Sequence, residues 1–324
     1  MKPHTLHCCT YFDKNYILKG LALHSSLLKH NPKAILWILC LDQSTYQILT
    51  KLKLSSTKLI KMSSFEDKKL RDAKKNRSLA EYYWTCTPSI PLFIFNHFPF
   101  VKTLIYLDSD LYFFSSLESV IREIGPGSIY TVESRYPPNQ QFRNKTTGRF
   151  NVGFQIFRND TQGLACLRRW RDQCLEWCYW KVEDGKMADQ MYLNEWPDLY
   201  SKLVISQNLG VNTAPWNINQ YTLDQKKKDV YINSHKLVCF HFHQLRIEGP
   251  DKFDLSPGYS LSKTTKRYIY LPYIEELKKH IRHLRLLVPD YRIKSESAFQ
   301  NSKIFNLLAR NIAPIYWQIK SIFK

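Results

Sequence analysis

Glycine is scarce in this chain, with ten in 324 residues. No GxGxxG and no GxxxxGK[ST] occurs, so neither a Rossmann dinucleotide loop nor a P-loop is expected to cradle phosphates. Acids are outnumbered, 28 against 47 Lys and Arg, which leaves a net charge of +19 and points to an anionic partner. Long apolar runs are missing too. The longest, Ala34 to Leu41, falls well short of the ~20 residues of a membrane span, and Met1–Thr10 has no stretch of signal-peptide length. The eight cysteines show no disulfide or zinc spacing; Cys174 and Cys178, one helical turn apart, have no nearby Cys or His to complete a site and read as core. These absences suggest a reduced, cytoplasmic chain in which the sequons at Asn144 and Asn159 have no role. A composition 44% hydrophobic and 14% aromatic excludes disorder over most of its length.

Short apolar runs alternate with longer helical patterns, as in an α/β domain. Strands are expected at Thr5–Tyr11, Ala34–Leu41, Lys58–Lys61, Lys102–Leu107, Ser128–Glu133, Phe150–Phe157 and Leu237–His243. Helices are expected at Tyr16–Lys29, Ser78–Phe98 (interrupted by Pro88 and Pro91), Gly163–Val182 and Met187–Trp196. The charge is concentrated. Residues 51–77 hold ten Lys/Arg against three acids, and residues 291–324 six against one. The latter also carry an apolar stripe, Ile304, Phe305, Leu308 and Ile312, resumed by Ile315, Tyr316, Ile319, Ile322 and Phe323. Such a basic amphipathic helix suits either an anionic membrane surface or docking on the body.

The most informative segment is Thr103–Phe114, TLIYLDSDLYFF. Two carboxylates emerge from the end of an apolar strand, a setting where ionised groups are rarely left unpaired. On extended backbone Asp108 and Asp110 point the same way and can share one hard cation. Turns after strands also contain paired aspartates, so the apolar frame is what favours a metal. A third ligand is available from Cys239–His243, where His241 and His243 fall on one face of an expected strand. Two carboxylates and an imidazole suit Mn²⁺ or Mg²⁺, and Mn²⁺ accepts nitrogen more readily. An ion held there neutralises a diphosphate that no glycine loop cradles.

YLDSDLYFF, FNVGFQIFR (150–158), ADQMYLN (188–194) and HFHQLR (241–246) occur in an order that resembles nucleotide-diphospho-sugar glycosyltransferases of the GT-A fold. The nearest group is the family 8-like retaining enzymes of the glycogenin and bacterial lipopolysaccharide galactosyltransferase type. The resemblance covers roughly residues 5–250. It implies an α/β fold with a Rossmann-like mixed central sheet flanked by helices, a transferase domain over 1–250, and a basic helical extension over 251–324. By the same resemblance Asp108 and Asp110 bind the metal with His241, His243 being the reserve. Ser109, Asn151 and Gly153 lie at the donor, and Thr10, Tyr11 and Asp13 contact the nucleoside. Asp189 and Gln190 carry the catalytic DQ pair. Asn212, Trp216 and Asn217 belong to an acceptor-side loop.

Two departures stand out. The family's arginine before the DxD strand is replaced by Tyr83-Trp84-Thr85-Cys86-Thr87-Pro88, with Arg77 the candidate substitute. Its Gly-x-x-Lys-Pro-Trp is here Gln244-Leu245-Arg246-Ile247-Glu248, with Arg246 the candidate phosphate ligand.

The implied reaction is metal-dependent transfer from a nucleotide-diphospho-sugar, UDP-linked by resemblance, to a glycan or glycolipid hydroxyl. Retention is favoured because no base opposite the leaving group is identifiable. The expected setting is surface-glycan synthesis, lipopolysaccharide included, at the inner face of the membrane through residues 301–324. A two-metal nucleotidyltransferase would show a Gly-Ser pair before Asp108, whereas Gly127-Ser128 lies downstream. A nucleic-acid-binding protein is disfavoured by the lack of any RNP, zinc-finger or helix-turn-helix signature. A membrane-associated binding protein without transferase chemistry is the remaining alternative.

Overall fold

A computed structural model describes residues 5–293, and the basic stripe over 301–324 lies outside them. The chain divides into two compact units between His241 and Phe242. The first is built on strands β1 (Leu6–Phe12), β2 (Ala34–Cys40), β3 (Thr57–Lys61), β4 (Thr103–Leu107), β5 (Leu111–Phe113), β6 (Ile129–Glu133), β7 (Phe150–Arg158) and β8 (Leu203–Ile205). Seven of them form one sheet in the order β3-β2-β1-β4-β7-β6-β8. β1 to β4 pair in parallel, β7 runs antiparallel between β4 and β6, and β8 returns parallel to β6.

This sheet is flanked by helices, which explains its composition. β2 reads AILWILC and β4 TLIYL, near-continuous apolar runs of the kind that strands covered on both faces require. A core of Trp37, Tyr82, Ile90, Leu104, Tyr106, Phe157, Trp170 and Trp196 packs against one face. All eight cysteines are buried and unpaired within the structure. A second, three-stranded sheet joins β9 (Leu223–Lys226), β10 (Asp229–Ile232) and β11 (His235–Lys236). β12 (Cys239–His241) pairs antiparallel with β5.

The interruption expected within Ser78–Phe98 is present, and the structure departs from the sequence expectations in the two later helices. Ser78–Phe98 is two helices, Leu79–Cys86 and Ser89–His97, parted at Thr87-Pro88. Ser78 and Glu81 form a reciprocal capping box on the first, and Pro91 falls in the opening turn of the second, where a missing N–H costs nothing. The helix expected over Gly163–Val182 spans Thr161–Glu176, because Trp177 is extended and an Asp184-Gly185 turn at positive φ reverses the chain. Met187–Trp196 is not one helix. Ala188 has φ +47°, and only a 3₁₀ turn, Met191–Glu195, and a short helix, Trp196–Leu199, follow.

The second unit carries β13 (Arg246–Ile247) paired with β14 (Phe253–Asp254), and the helix Leu271–Leu287. Within it Phe242 stacks on Tyr273 with ring centroids 3.8 Å apart. Among the described residues no helix is long and apolar enough to cross a membrane.

Candidate active site

The sheet brings four separated segments to one point. β4 ends at Leu107, so Asp108 leaves the sheet at its carboxyl edge. β7 runs the other way, pairing Phe154 with Leu107, and its first residues therefore lie beside that exit. The Asp108 amide donates to the Gly153 carbonyl at 2.9 Å. Leu111, the residue after Asp110, then opens β5 opposite His241 on β12. A parallel bridge between Thr213 and Phe240 draws Asn212 alongside, with the His241 amide donating to the Thr213 carbonyl at 2.8 Å.

Asp108, Asp110 and His241 consequently form one cluster. A ligand atom from each lies within 4.8 Å of the others. His241 Nε2 is 3.1 Å from Asp110 Oδ1 and 3.8 Å from Asp108 Oδ2. Burial raises the Asp108 carboxyl and the Asp110 charge raises it further, against the opposing pull of His241. Burial by itself depresses His241, but the two aspartates outweigh it and its pKa lies above the usual imidazole value. The imidazole's other nitrogen, Nδ1, stands 3.1 Å from Asn212 Oδ1. A ring that donates from Nδ1 presents a lone pair at Nε2, facing two carboxylates. That donor set fits a divalent cation, which removes the lone-pair and carboxylate repulsion. His243 is outside this set: β12 ends at His241, Gln244 follows at φ +63°, and the His243 ring meets Tyr259 in the second unit. Arg246 is in the second unit as well, on β13 opposite Asp254.

Gly153 is dictated by space. A Cβ there would come within 2.8 Å of the His241 ring and 2.9 Å of Asn151 Oδ1. Asn151 Oδ1 accepts from the Gly153 amide at 3.0 Å, and its Nδ2 donates to Gln190 Oε1 at 3.1 Å. Gln190 Nε2 in turn donates to the Thr147 carbonyl at 2.7 Å. Asp189 is buried, and its carbonyl accepts from Trp170 Nε1 at 2.8 Å. Burial pushes the Asp189 carboxyl up to about 7; the Asp108 charge adds to this and a Thr87 hydrogen bond opposes it.

The other expected residues occupy varied settings. Thr10 is fully buried, and its hydroxyl is without a partner among the described residues. Tyr11 shares a 3.2 Å hydroxyl contact with Thr87. Ser109 is buried between the two aspartates. The Asp13 carboxylate accepts from the amides of Asn15 at 2.9 Å and Tyr16 at 3.3 Å, closing the turn into the helix Ile17–His30. Trp216 donates to the Ser134 carbonyl at 2.8 Å and sets its ring edge-on to His241, 5.3 Å between centroids. Asn217 closes its own loop, accepting from Ala214 N at 3.0 Å and donating to Ser134 O at 2.9 Å.

Sequence reasoning missed three residues. Tyr106 donates to Asp108 Oδ1 at 2.8 Å, which strand periodicity could have signalled, since residues two apart share a face. Thr87, inside the divergent Tyr83–Pro88 segment, reaches both Tyr11 and Asp189. Lys19 is buried in the first helix, its ammonium 4.2 Å over the Tyr16 ring, and its charge bears on His241. Nothing in the sequence marks it, because helical spacing says only that it neighbours apolar residues. Arg77, the candidate substitute for the missing arginine, has partners of its own. It lies on the Tyr179 ring and donates to the carbonyls of Leu175 and Glu176, holding the end of the helix Thr161–Glu176.

The chain is 30% identical to the uncharacterized protein YfnD of Bacillus subtilis (strain 168) over 89% of its own length and 93% of that protein's. It is 27% identical to YfnF of the same organism, over 87% and 95%. In fold it is similar to LgtC, a galactosyltransferase solved with donor and acceptor sugar analogs, at TM-score 0.52 and 13% identity; the match covers 85% of this chain and 96% of LgtC. The family model for Glycosyl transferase family 8 matches residues 7–243, a span that holds both aspartates, the Asn151–Gly153 strand, the DQ pair and His241. With that match and this sheet order, the chain belongs to glycosyltransferase family 8 and is a glycosyltransferase of the GT-A fold.

Proposed function

We propose that this enzyme transfers a hexosyl unit from a UDP-sugar to an acceptor hydroxyl, with Mn²⁺ or Mg²⁺ held by Asp108, Asp110 and His241. The observation that carries this reading is the convergence of those three side chains with Asn151, Gly153 and Gln190. The bound cation supplies charge neutralisation at a leaving diphosphate. Two oxygens and one nitrogen favour Mn²⁺ over Mg²⁺.

Thr10, Tyr11 and Asp13 form the nucleoside side, and Ser109, Asn151 and Gly153 the sugar side. Asp189 binds donor-sugar hydroxyls with Gln190 near the anomeric carbon, while Asn212, Trp216 and Asn217 bound the acceptor side and Arg246 supports the diphosphate. Transfer proceeds with retention, because no carboxylate base is identified opposite the leaving group. In this reading residues 1–250 are the transferase domain, and 251–324 an extension whose basic end docks on anionic lipid at the inner face of the membrane. The acceptor is a surface glycan or glycolipid, lipopolysaccharide included.

The test is UDP release from a panel of UDP-sugars with and without Mn²⁺. Wild type is expected to be metal-dependent, and Asp108→Asn and Asp110→Asn to lose about 100-fold or more. Activity untouched by either substitution sinks the metal assignment. Removal of 301–324 is expected to weaken binding to anionic liposomes while sparing donor hydrolysis; lipid binding that persists unchanged defeats the docking role.

A further inference from the structure

The side-chain amides around His241 form a chain whose polarity is forced at every link. It starts at the Thr147 carbonyl, which only accepts, so Gln190 must present Nε2 to it at 2.7 Å. Gln190 Oε1 then faces Asn151 at 3.1 Å and requires Nδ2 there. That leaves Asn151 Oδ1 to receive the Gly153 amide at 3.0 Å, a donor only, which agrees with the same orientation. Asn151 Oδ1 also receives Asn212 Nδ2 at 2.8 Å, so Asn212 turns Oδ1 to His241 Nδ1 at 3.1 Å. Nδ1 must therefore carry a proton. Asn212 is 1% exposed and His241 4%, so water does not compete for the link between them, while Asn151 and Gln190 are half-buried. Asn212 also sits at φ +54°, a conformation that asparagine tolerates and branched residues do not.

We infer that Asn212 is a positioning residue, held by Asn151, Gln190 and Thr147, that fixes the His241 ring as its Nδ1–H tautomer with Nε2 aimed between Asp108 and Asp110. Asn212 reaches the metal set through the His241 ring rather than as one of its ligands. Its effect runs through the orientation and basicity of the imidazole, as outer-shell partners of metal-bound histidines do. The inference rests on the metal reading above and adds a mechanical consequence. Gln190 and His241 stand at opposite ends of one chain of amides, so the two are oriented together.

Mn²⁺ binding to the full chain, followed by electron paramagnetic resonance, tests this in wild type, Asn212→Asp and Asn212→Gly. Aspartate keeps the acceptor for His241 Nδ1–H but loses the donor to Asn151 Oδ1. Glycine removes both and keeps the left-handed backbone without strain. Asn212→Gly is expected to bind Mn²⁺ about 10- to 100-fold more weakly, with Asn212→Asp between glycine and wild type, because it keeps the contact to His241 and loses the hold by Asn151. Glycine binding as tightly as wild type overturns the role of Asn212 and leaves the metal site standing. A wild type that binds no Mn²⁺ overturns both. If the glycine variant does not fold, nitrogen–proton correlation spectra of histidine-labelled wild type with Mg²⁺ decide, His241→Gln identifying the resonance. An Nδ1–H pattern supports the inference, and an Nε2–H pattern refutes it.

Discussion

The hydroxyl of Tyr106 donates to Asp108 Oδ1 at 2.8 Å, from the same face of the strand that delivers the aspartate. That bond leaves Oδ2 as the oxygen nearer His241 Nε2, at 3.8 Å. Tyr106→Phe removes the donor with little change of shape. Mn²⁺ affinity is expected to fall roughly 10-fold and stability by about 1–2 kcal/mol. Equilibrium binding and urea unfolding measure the two effects separately, and an unchanged affinity shows that the hydroxyl does not orient the ligand.

Gly153→Ala is expected to disable the site while the fold survives. Its Cβ meets the His241 ring at 2.8 Å and Asn151 Oδ1 at 2.9 Å, so one of them must move. The overpacking costs about 1–3 kcal/mol, but donor hydrolysis is expected to fall by about 100-fold, because small displacements of positioned groups are amplified in rate. Gly249→Ala, whose Cβ meets nothing nearer than Lys252 Cβ at 3.8 Å, serves as the neutral control. Comparable activity in the two variants contradicts the crowding.

Asp189 imposes a pH dependence on stability. Burial, reinforced by Asp108, raises its pKa from 3.8 to about 7, so the folded protein holds a proton that the unfolded chain releases earlier. This contribution is complete below the unfolded value and is lost as pH rises from about 4 through about 7. Over that window it amounts to roughly 4 kcal/mol at most. Asp108 and His241, both raised, act in the same direction, so the informative quantity is a difference. Denaturant unfolding of Asp189→Asn in chelator is expected to show a flatter profile than wild type, with the variant relatively more stable at pH 8. Parallel profiles refute the shift.

Trp170 couples the core to the site. Its ring is buried against Phe157 and Trp196, and its Nε1 donates to the Asp189 carbonyl at 2.8 Å. Trp170→Phe is expected to cost about 1–3 kcal/mol through a buried carbonyl left unpaired and a small cavity. Activity should fall further than that loss of stability explains, because Asp189 loses its anchor. Trp196→Phe is expected to lose stability with less effect on turnover. Kinetics well below both melting transitions distinguish them.

The sequence read the central strands well because their cause is local. Runs such as AILWILC and TLIYL are too short for helices and too apolar for anything but a covered sheet. Helix ends fared worse where one residue outweighed periodicity: Ala188 at φ +47° ends a pattern that reads as helical from Met187 onward. The expected strand Leu237–His243 shrinks to Cys239–His241 because β5, its partner, offers only three residues.

The sequence by itself determined the sheet-forming segments, the pair Asp108 and Asp110 at a strand end, and an ordered set of motifs sufficient to point to a glycosyltransferase. Only the tertiary structure decided which histidine joins the aspartates. That choice depends on the pairing of β12 with β5, a contact between segments more than a hundred residues apart. The same holds for Tyr106, Thr87, Lys19 and the amide chain from Thr147 to His241. Their roles are set by burial and by the direction of hydrogen bonds, and neither exists until the segments that supply the partners have been packed together.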